Sequence, residues 1–509
     1  MENLQSYLCG EWGGGEPVGD RLLNPATEEE LAVICSEDRQ EAALDYAREG
    51  SEVLRGMTFS ERGKILLGMA KALKEGRTGL ADLSVRNGGS TLADAKWEMA
   101  GAIWTLTEYG NLGVSLGDRL FLLDGDGIRL HSEGSYEGQH IWIPRQGAAL
   151  QINPDNFPVW EIAEKMACSI LAGMAVIAKP ASVTALVAHR MAEVLVDSGV
   201  LPRGTFQLLL RTGTILDHVG DQDVVAFTGS SETGDLISGE TSSTGARLNR
   251  EQDSLNAAVL GPDVKPGEKA YGLFLADVIS SMTRKQGQVC RAYRRVFVPE
   301  PLVEQVWTDL TSRLAGIQLG DPSRPEVSMG PLVSRERLES VTEGISLLER
   351  ESEVVFRHDG LRIGVLRGKG FFQGPVLLLN RDPENADRTH TNEVFGPVAT
   401  VMGYDGDPKT AARLVNLGGG TLVTGVYSDD SWFIRNMVLG CGSRTGTIYL
   451  GTPKSENPFG PGTAHPRLVH GGPGRAGGGC ELGGLRGLEL YMQRVALAGD
   501  SDTVENIVR

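Results

Sequence analysis

Between Phe157 and Phe227 the chain alternates short apolar runs with helical stretches of similar length. An apolar helix at about 159–172 leads into the strand-like Ala175-Val-Ile-Ala-Lys179, which Pro180 ends. A second helix at about 184–198 stops at Ser198-Gly199, and Thr205-Phe-Gln-Leu-Leu-Leu210 and Asp223-Val-Val-Ala-Phe227 follow as strands. Alternation of this kind predicts an α/β fold with a doubly wound parallel sheet. In such sheets ligands lie outside the carboxyl ends of the strands, so the segments after Lys179 and Phe227 are where binding residues are sought.

A chain of 509 residues exceeds what one hydrophobic core organises, so at least two packed units are expected. A second region, 252–440, again mixes β-rich runs such as Arg295-Val-Phe-Val298 with helices, including one that begins at Pro301-Leu-Val-Glu. From about 40 to 115 the pattern is helical, with apolar positions three and four apart after Ser60. The segments 119–147 and 484–497 read as β-strands without a core of their own, and an orphan ribbon of that kind pairs with another subunit in a homodimer or an assembly of dimers. Gly471-Gly-Pro-Gly-Arg-Ala-Gly-Gly-Gly479 reads as a flexible loop in isolation.

Lys and Arg number 49 against 66 Asp and Glu, and a net charge of -17 leaves no footprint for nucleic acid or an anionic membrane. There is no apolar run of transmembrane length, and the start, Met-Glu-Asn-Leu-Gln-Ser, lacks the basic region and apolar core of a secretion signal. The six cysteines are scattered without a Cys-x-x-Cys pair, which argues against a disulfide framework and against a zinc knuckle. A cytoplasmic protein with reduced thiols and no metal is the expectation.

The chemistry centres on Cys290 in Gly-Gln-Val-Cys-Arg, on Glu251 upstream, and on Asn156 in Asn-Phe-Pro. A thiol, a carboxylate and an amide donor are the three parts needed to oxidise an aldehyde through a covalent thioester: nucleophile, water activator and oxyanion stabiliser. Each has a plainer alternative. Cys290 taken alone reads as an ordinary small buried apolar residue before it reads as a nucleophile, although Arg291, Arg294 and Arg295 follow closely and any of them aimed at the sulfur favours the thiolate. Glu251 reads as a surface carboxylate, but it enters the apolar run Leu255-Asn-Ala-Ala-Val-Leu260, where desolvation raises a carboxyl toward the range of a general base. Asn156 is either a cap for the helix that follows or a donor to an oxyanion. Gly229, Ser230 and Gly234, in Phe227-Thr-Gly-Ser-Ser-Glu-Thr-Gly234, follow a strand and open a helix, where amides and the helix dipole favour a pyrophosphate. Lys179 is either a solvated strand-end lysine or a ligand for a ribose or phosphate.

Taken together these pieces resemble the aldehyde dehydrogenase family along nearly the whole chain. Asn-Phe-Pro at 156, Lys-Pro-Ala at 179, Phe-Thr-Gly-Ser at 227, Glu251, Gly-Gln-x-Cys ending at 290 and Glu-Val-Phe-Gly-Pro-Val at 393–398 occur in the family's order. The resemblance implies a Rossmann-type dinucleotide-binding domain (1–118, 148–251 and 441–470), an α/β catalytic domain carrying the thiol (252–440), and an oligomerisation arm and tail (119–147 and 471–509). It implies that Asn156 and the amide of Cys290 form the oxyanion hole and that Glu251 activates water. Glu393 would hold the nicotinamide ribose with Phe395 beside the ring, Lys179 the adenosine ribose, and Ser230 the pyrophosphate.

Two stretches narrow the match. Where the family usually has Leu-Gly-Gly-Lys after the catalytic glutamate, this chain reads Glu-Gln-Asp-Ser-Leu-Asn, and its tail reads Val469-His-Gly-Gly-Pro-Gly-Arg-Ala-Gly-Gly-Gly-Cys-Glu-Leu-Gly-Gly. Both are similar to the branch containing 3,4-dehydroadipyl-CoA semialdehyde dehydrogenase and the dehydrogenase half of the bifunctional phenylacetate ring-opening enzyme, which implies a CoA-linked aldehyde as substrate. Asp155 and Cys480 depart from that branch, which has an uncharged residue and a glutamate there. Many NAD-preferring members carry a glutamate three residues after the lysine; Ser182 stands there, so NADP is expected over NAD, with NAD still open. An acylating dehydrogenase that uses free CoA, and a catalytically silent relative of the fold, are the alternatives.

Overall fold

The computed structural model describes residues 1–508 apart from 133–134, 212, 361 and 456–458. Its first seven-stranded sheet runs Arg247–Glu251, Val224–Thr228, Ala149–Ile152, Val176–Lys179 and Phe206–Leu208, all parallel, and is completed by antiparallel Ser6–Leu8 and Glu11–Gly13. Ala149–Ile152, Val224–Thr228 and Phe206–Leu208 are buried at every position, which is why they are mostly apolar, with Gln151 and Gln207 the buried polar exceptions besides the strand-end Thr228. The chain starts at Ala149–Ile152, winds outward to Phe206–Leu208, then returns to lay Val224–Thr228 on the other side of its first strand. That reversal opens a crevice at the carboxyl ends of the two neighbours, between the segments 153–156 and 228–230.

A second seven-stranded sheet runs Glu353–Arg357, Val376–Asn380, Val398–Tyr404, Arg295–Pro299, Ala257–Leu260, Thr421–Tyr427 and Thr445–Gly451, parallel except for its first edge strand. Here the domain limits expected from sequence need correcting. Residues 441–470 do not all belong with the dinucleotide-binding sheet, because Thr445–Gly451 pairs in parallel with Thr421–Tyr427. The helix Ser431–Cys441 makes the short crossover that this pairing requires.

The expected helical region resolves into Gln40–Arg55, Phe59–Gly88 and Leu92–Leu116. The long middle helix starts at a capping box in which Thr58 and Glu61 satisfy each other's backbone amides, and Gly89 ends it in the left-handed region. Leu122–Arg129, Tyr136–Pro144 and Met492–Asp500 form an antiparallel ribbon, in register from Met492 opposite Pro144 to Asp500 opposite Tyr136. Only its last strand comes from the tail: 484–491, expected as strand, is a 3-10 helix on the dinucleotide-binding domain, while 472–476 lie against Gly419–Thr421 of the catalytic sheet. Ile128, Leu130, Tyr136 and Ile143 stand exposed on or beside the ribbon. Covering them and the free edge predicts a two-fold dimer or an assembly of dimers. Light scattering at micromolar concentration measures it, and a monomeric mass there rules it out.

Candidate active site

Cys290 sits at the end of a loop whose backbone is strained and tightly held. Lys285, Gln286 and Gly287 all have positive φ (44°, 59° and 71°), a conformation that two non-glycine residues in a row keep only when their surroundings impose it. Those surroundings are buried polar contacts. The Lys285 ammonium donates to Glu98 at 2.6 Å and its backbone amide to Asp94 at 3.1 Å, and the Gln286 side chain donates to the Gly89 carbonyl at 3.2 Å. At Gly287 a Cβ would stand 2.3 Å from the Gly396 carbonyl oxygen, so the loop that carries the thiol tolerates no side chain there.

Asn156 does not cap the helix Trp160–Ala172, whose N-terminal residue makes no side-chain cap. Instead its Nδ2 donates to the Gln288 carbonyl at 3.0 Å, two residues before Cys290, and its side-chain oxygen has no partner. Of the three arginines after Cys290, Arg291 draws the thiol pKa down, and Arg294 also interacts with the sulfur. Arg294 faces Glu393 at 3.4 Å, and Arg295 is fully buried on the carbonyls of Leu255, Leu414 and Val415 and on His390. Burial, followed by Glu251 and Glu161, outweighs Arg291, and the Cys290 thiol is pushed well above its ordinary value.

Glu251 ends the edge strand Arg247–Glu251 and is 1% exposed. Burial pushes its carboxyl up to about 7, against the pull of His470 and Lys165, and neither of its oxygens has a hydrogen-bond partner among the described residues. The glycine-rich segment is not a free loop. Gly479 donates to the Arg250 carbonyl and Gln252 to the Ala476 carbonyl, both backbone to backbone, and a Cβ at Gly477 or Gly479 would lie 2.4 or 2.2 Å from that Arg250 oxygen. The glycines let the tail close on the edge strand and fix the backbone on both sides of Glu251.

The same tail brings a histidine that the sequence reading did not single out. Val469–His470 pairs antiparallel with Glu481–Leu482, so His470 and Glu481 are opposite partners and leave the ribbon on the same face. His470 Nε2 lies 3.9 Å from Cys290 Sγ and 3.5 Å from Glu251, and its Nδ1 lies 3.7 Å from Glu164. The ligand atoms of Glu251, Cys290 and His470 all fall within 4.8 Å of one another. Behind them, Lys165 donates to Glu161 at 2.9 Å and to Thr228 at 2.8 Å and pairs with Glu481 at 3.3 Å. Burial opposes the Lys165 charge, but Glu161, Glu481 and Glu251 hold the ammonium firmly protonated. Burial, helped by Glu161, pushes Glu164 well above the usual carboxyl range. A signal for this cluster was present: Glu161, Glu164 and Lys165 are three charges in a helix otherwise apolar enough to be buried at every residue.

Asn156, Gly229, Ser230, Glu251, Cys290, Glu393 and Phe395 line one cavity of about 340 Å³ at the crevice between the two sheets. Ser230 caps the helix Ser231–Thr241, accepting from the Thr233 amide, while the next amide, Ser231, is already bonded to the Asp253 carboxylate. Glu393 accepts from the Ser254 amide at 2.8 Å, and burial pushes its carboxyl up to about 7. Phe395 lies between two guanidinium groups, Arg294 at 5.5 Å and Arg337 at 5.0 Å from its ring centre. Asp155, which departs from the expected uncharged residue, lines the same cavity and is paired with Arg337 at 2.9 Å. Three expected cofactor residues lie outside this cavity's lining. Lys179 and Ser182 stand at the carboxyl end of the next strand over, and Gly234 is buried in the helix, where a Cβ would collide with the Gln252 amide.

A model of the aldehyde dehydrogenase family matches residues 19–496. The chain is 36% identical over 478 residues to 3,4-dehydroadipyl-CoA semialdehyde dehydrogenase of Aromatoleum evansii, covering 92% of this chain and 93% of that protein. It is 30% identical over 447 residues to a betaine aldehyde dehydrogenase of Vibrio vulnificus, covering 84% and 86%. Among solved structures, a point mutant of betaine aldehyde dehydrogenase from Staphylococcus aureus in complex with NAD+ superposes with a TM-score of 0.85 at 23% identity, covering 99% of this chain and 98% of that one. Lactaldehyde dehydrogenase from Escherichia coli does so at 0.84 and 23%, covering 98% and 99%, and both likenesses show the fold.

Proposed function

Because the chain belongs to the aldehyde dehydrogenase family of NAD(P)-dependent aldehyde oxidoreductases, we propose that it oxidises a CoA-thioester-linked semialdehyde to the carboxylic acid with NADP+. The semialdehyde is of the kind formed when an aromatic ring is opened in benzoyl-CoA or phenylacetyl-CoA breakdown. One observation carries the chemistry. Cys290 is shared by the large cavity lined by Glu393 and Phe395 and by a small one lined by Phe157, Trp160, Ala464 and His470, so a carbon bound to its sulfur faces both. The aldehyde enters through the second, and the Cys290 thiolate adds to its carbon. The Asn156 amide and the Cys290 backbone N–H receive the oxyanion. Glu393 and Phe395 in the large cavity would hold the nicotinamide, which would supply the hydride acceptor for that carbon. Glu251, buried and poised near neutrality, then takes a proton from water as it attacks the thioester. Product analysis tests the reading: a carboxylic acid with its original CoA thioester supports it, whereas transfer of the acyl group to added free CoA identifies an acylating enzyme.

The residues present fit a dinucleotide. The cavity offers a helix N-terminus at one end and, at the other, a carboxylate beside an aromatic ring, while Lys179 and Ser182 extend the same row of strand ends. Lys179 ends one strand, and Arg211 follows the end of its neighbour Phe206–Leu208, so two cations stand beyond adjoining strand ends. Ser182, three residues after Lys179, donates to a 2′-phosphate where a glutamate would repel it. Ser182→Glu is expected to raise the KM for NADP+ by about tenfold or more while changing that for NAD+ little. A wild type with the higher kcat/KM for NAD+ would show this assignment of Ser182 to be wrong.

A further inference from the structure

We propose that His470 is a catalytic residue of this site, the proton acceptor that converts the Cys290 thiol into the attacking thiolate and the cation that then holds it. The inference rests on Cys290 being the nucleophile and adds a group that none of the motifs supplies. Its basis is geometric. His470 Nε2 approaches Cys290 Sγ to 3.9 Å, and the imidazole is 2% exposed, so no bulk water competes for that contact. On its other side Nδ1 faces a Glu164 oxygen at 3.7 Å, and neither atom has another hydrogen-bond partner. Nucleophile, base and a third group that orients the base therefore lie in one line, Cys290–His470–Glu164, delivered by three separate chain segments.

The need for such a partner follows from what surrounds the thiol. Glu251, Glu161 and Glu164 all disfavour a negative sulfur, and Arg291, which favours it, turns its Nε to the Pro461 carbonyl and its Nη1 to Thr447. Lys165 is neutralised between Glu161 and Glu481. His470 is the group in contact with the sulfur that can both remove its proton and return a compensating charge. In the forward step the S–H proton moves to Nε2 and the sulfur lone pair forms the C–S bond to the aldehyde carbon. When the thioester is cleaved, the sulfur leaves as a thiolate beside the imidazolium. Because Nε2 also lies 3.5 Å from Glu251, a role confined to that carboxylate is the competing explanation.

Alkylation of Cys290 by iodoacetamide, followed across pH by mass spectrometry on the protein without substrate, separates the two. With His470 to take its proton the sulfur is a thiolate at neutral pH and remains one at higher pH, so the profile rises early and then levels. The wild type should therefore react near neutral pH, well below the range of a thiol that burial and carboxylates hold up. His470→Asn and His470→Gln should each lower the rate at neutral pH by about tenfold or more and move the profile upward, while exposed Cys480 reacts unchanged. A wild-type profile rising only at high pH overturns the proposal without any variant, and so does a His470→Asn profile that matches the wild type. The measurement uses no aldehyde, so failure of the proposed oxidation, read from product analysis, is a separate result.

Discussion

Cys290→Ala is expected to lower aldehyde oxidation by a factor on the order of 10⁴ to 10⁶ while the protein still folds and binds reduced cofactor. The size follows from the chemistry. Without sulfur there is no covalent adduct to shed hydride, and neither the oxyanion donors nor Glu251 can substitute for a missing nucleophile. The fold is expected to persist because the loop is held by Lys285, Gln286 and Gln288, not by the thiol. Steady-state formation of reduced cofactor measures the first part, and quenching of tryptophan fluorescence by NADPH the second. A variant that turns over within about tenfold of the wild type would remove Cys290 from the nucleophile's place.

The parts of this architecture legible in sequence are those where burial leaves a one-dimensional trace. Val224–Thr228 and Val176–Lys179 sit inside the sheet, so their side chains are apolar on both faces and the strand shows as a run. Cys290, Glu251 and Asn156 stood out because each lies in a short motif whose local backbone the chemistry requires. What stayed hidden depends on pairing between distant segments. Thr445–Gly451 joins the catalytic sheet because its partner is Thr421–Tyr427, and its composition records only that it is a strand. His470 reaches Cys290 across 180 residues of sequence, through a two-residue pairing with Glu481–Leu482 too short to leave a periodic pattern. The glycines between them looked like slack, yet Gly477 and Gly479 are small because the Arg250 carbonyl fills the space of a side chain. Asp155 departs from the branch pattern, and the partner that neutralises it, Arg337, lies on a helix of the other domain, which the sequence around Asp155 does not record.

Glu251→Gln is expected to separate the two halves of the reaction. Hydride leaves before water is needed, so the variant should release about one equivalent of reduced cofactor per active site in a first turnover and then stall, with the steady-state rate down by about 10² to 10⁴. The wild type should carry an acid limb in the same step. Glu251 is active as the carboxylate, and burial holds its carboxyl at about 7, so kcat should fall as pH drops through that value and level off above it. The sign is that of a base: protonation removes it, and a higher pKa moves the loss to higher pH. In Glu251→Gln that limb should disappear from the residual turnover, because glutamine does not titrate. Stopped-flow measurement of the burst, with the pH profile of kcat beside it, decides the assignment. A variant without a burst would place Glu251 before hydride transfer, and one with a wild-type steady state would mean that water is activated elsewhere, with His470 the nearest group able to do it.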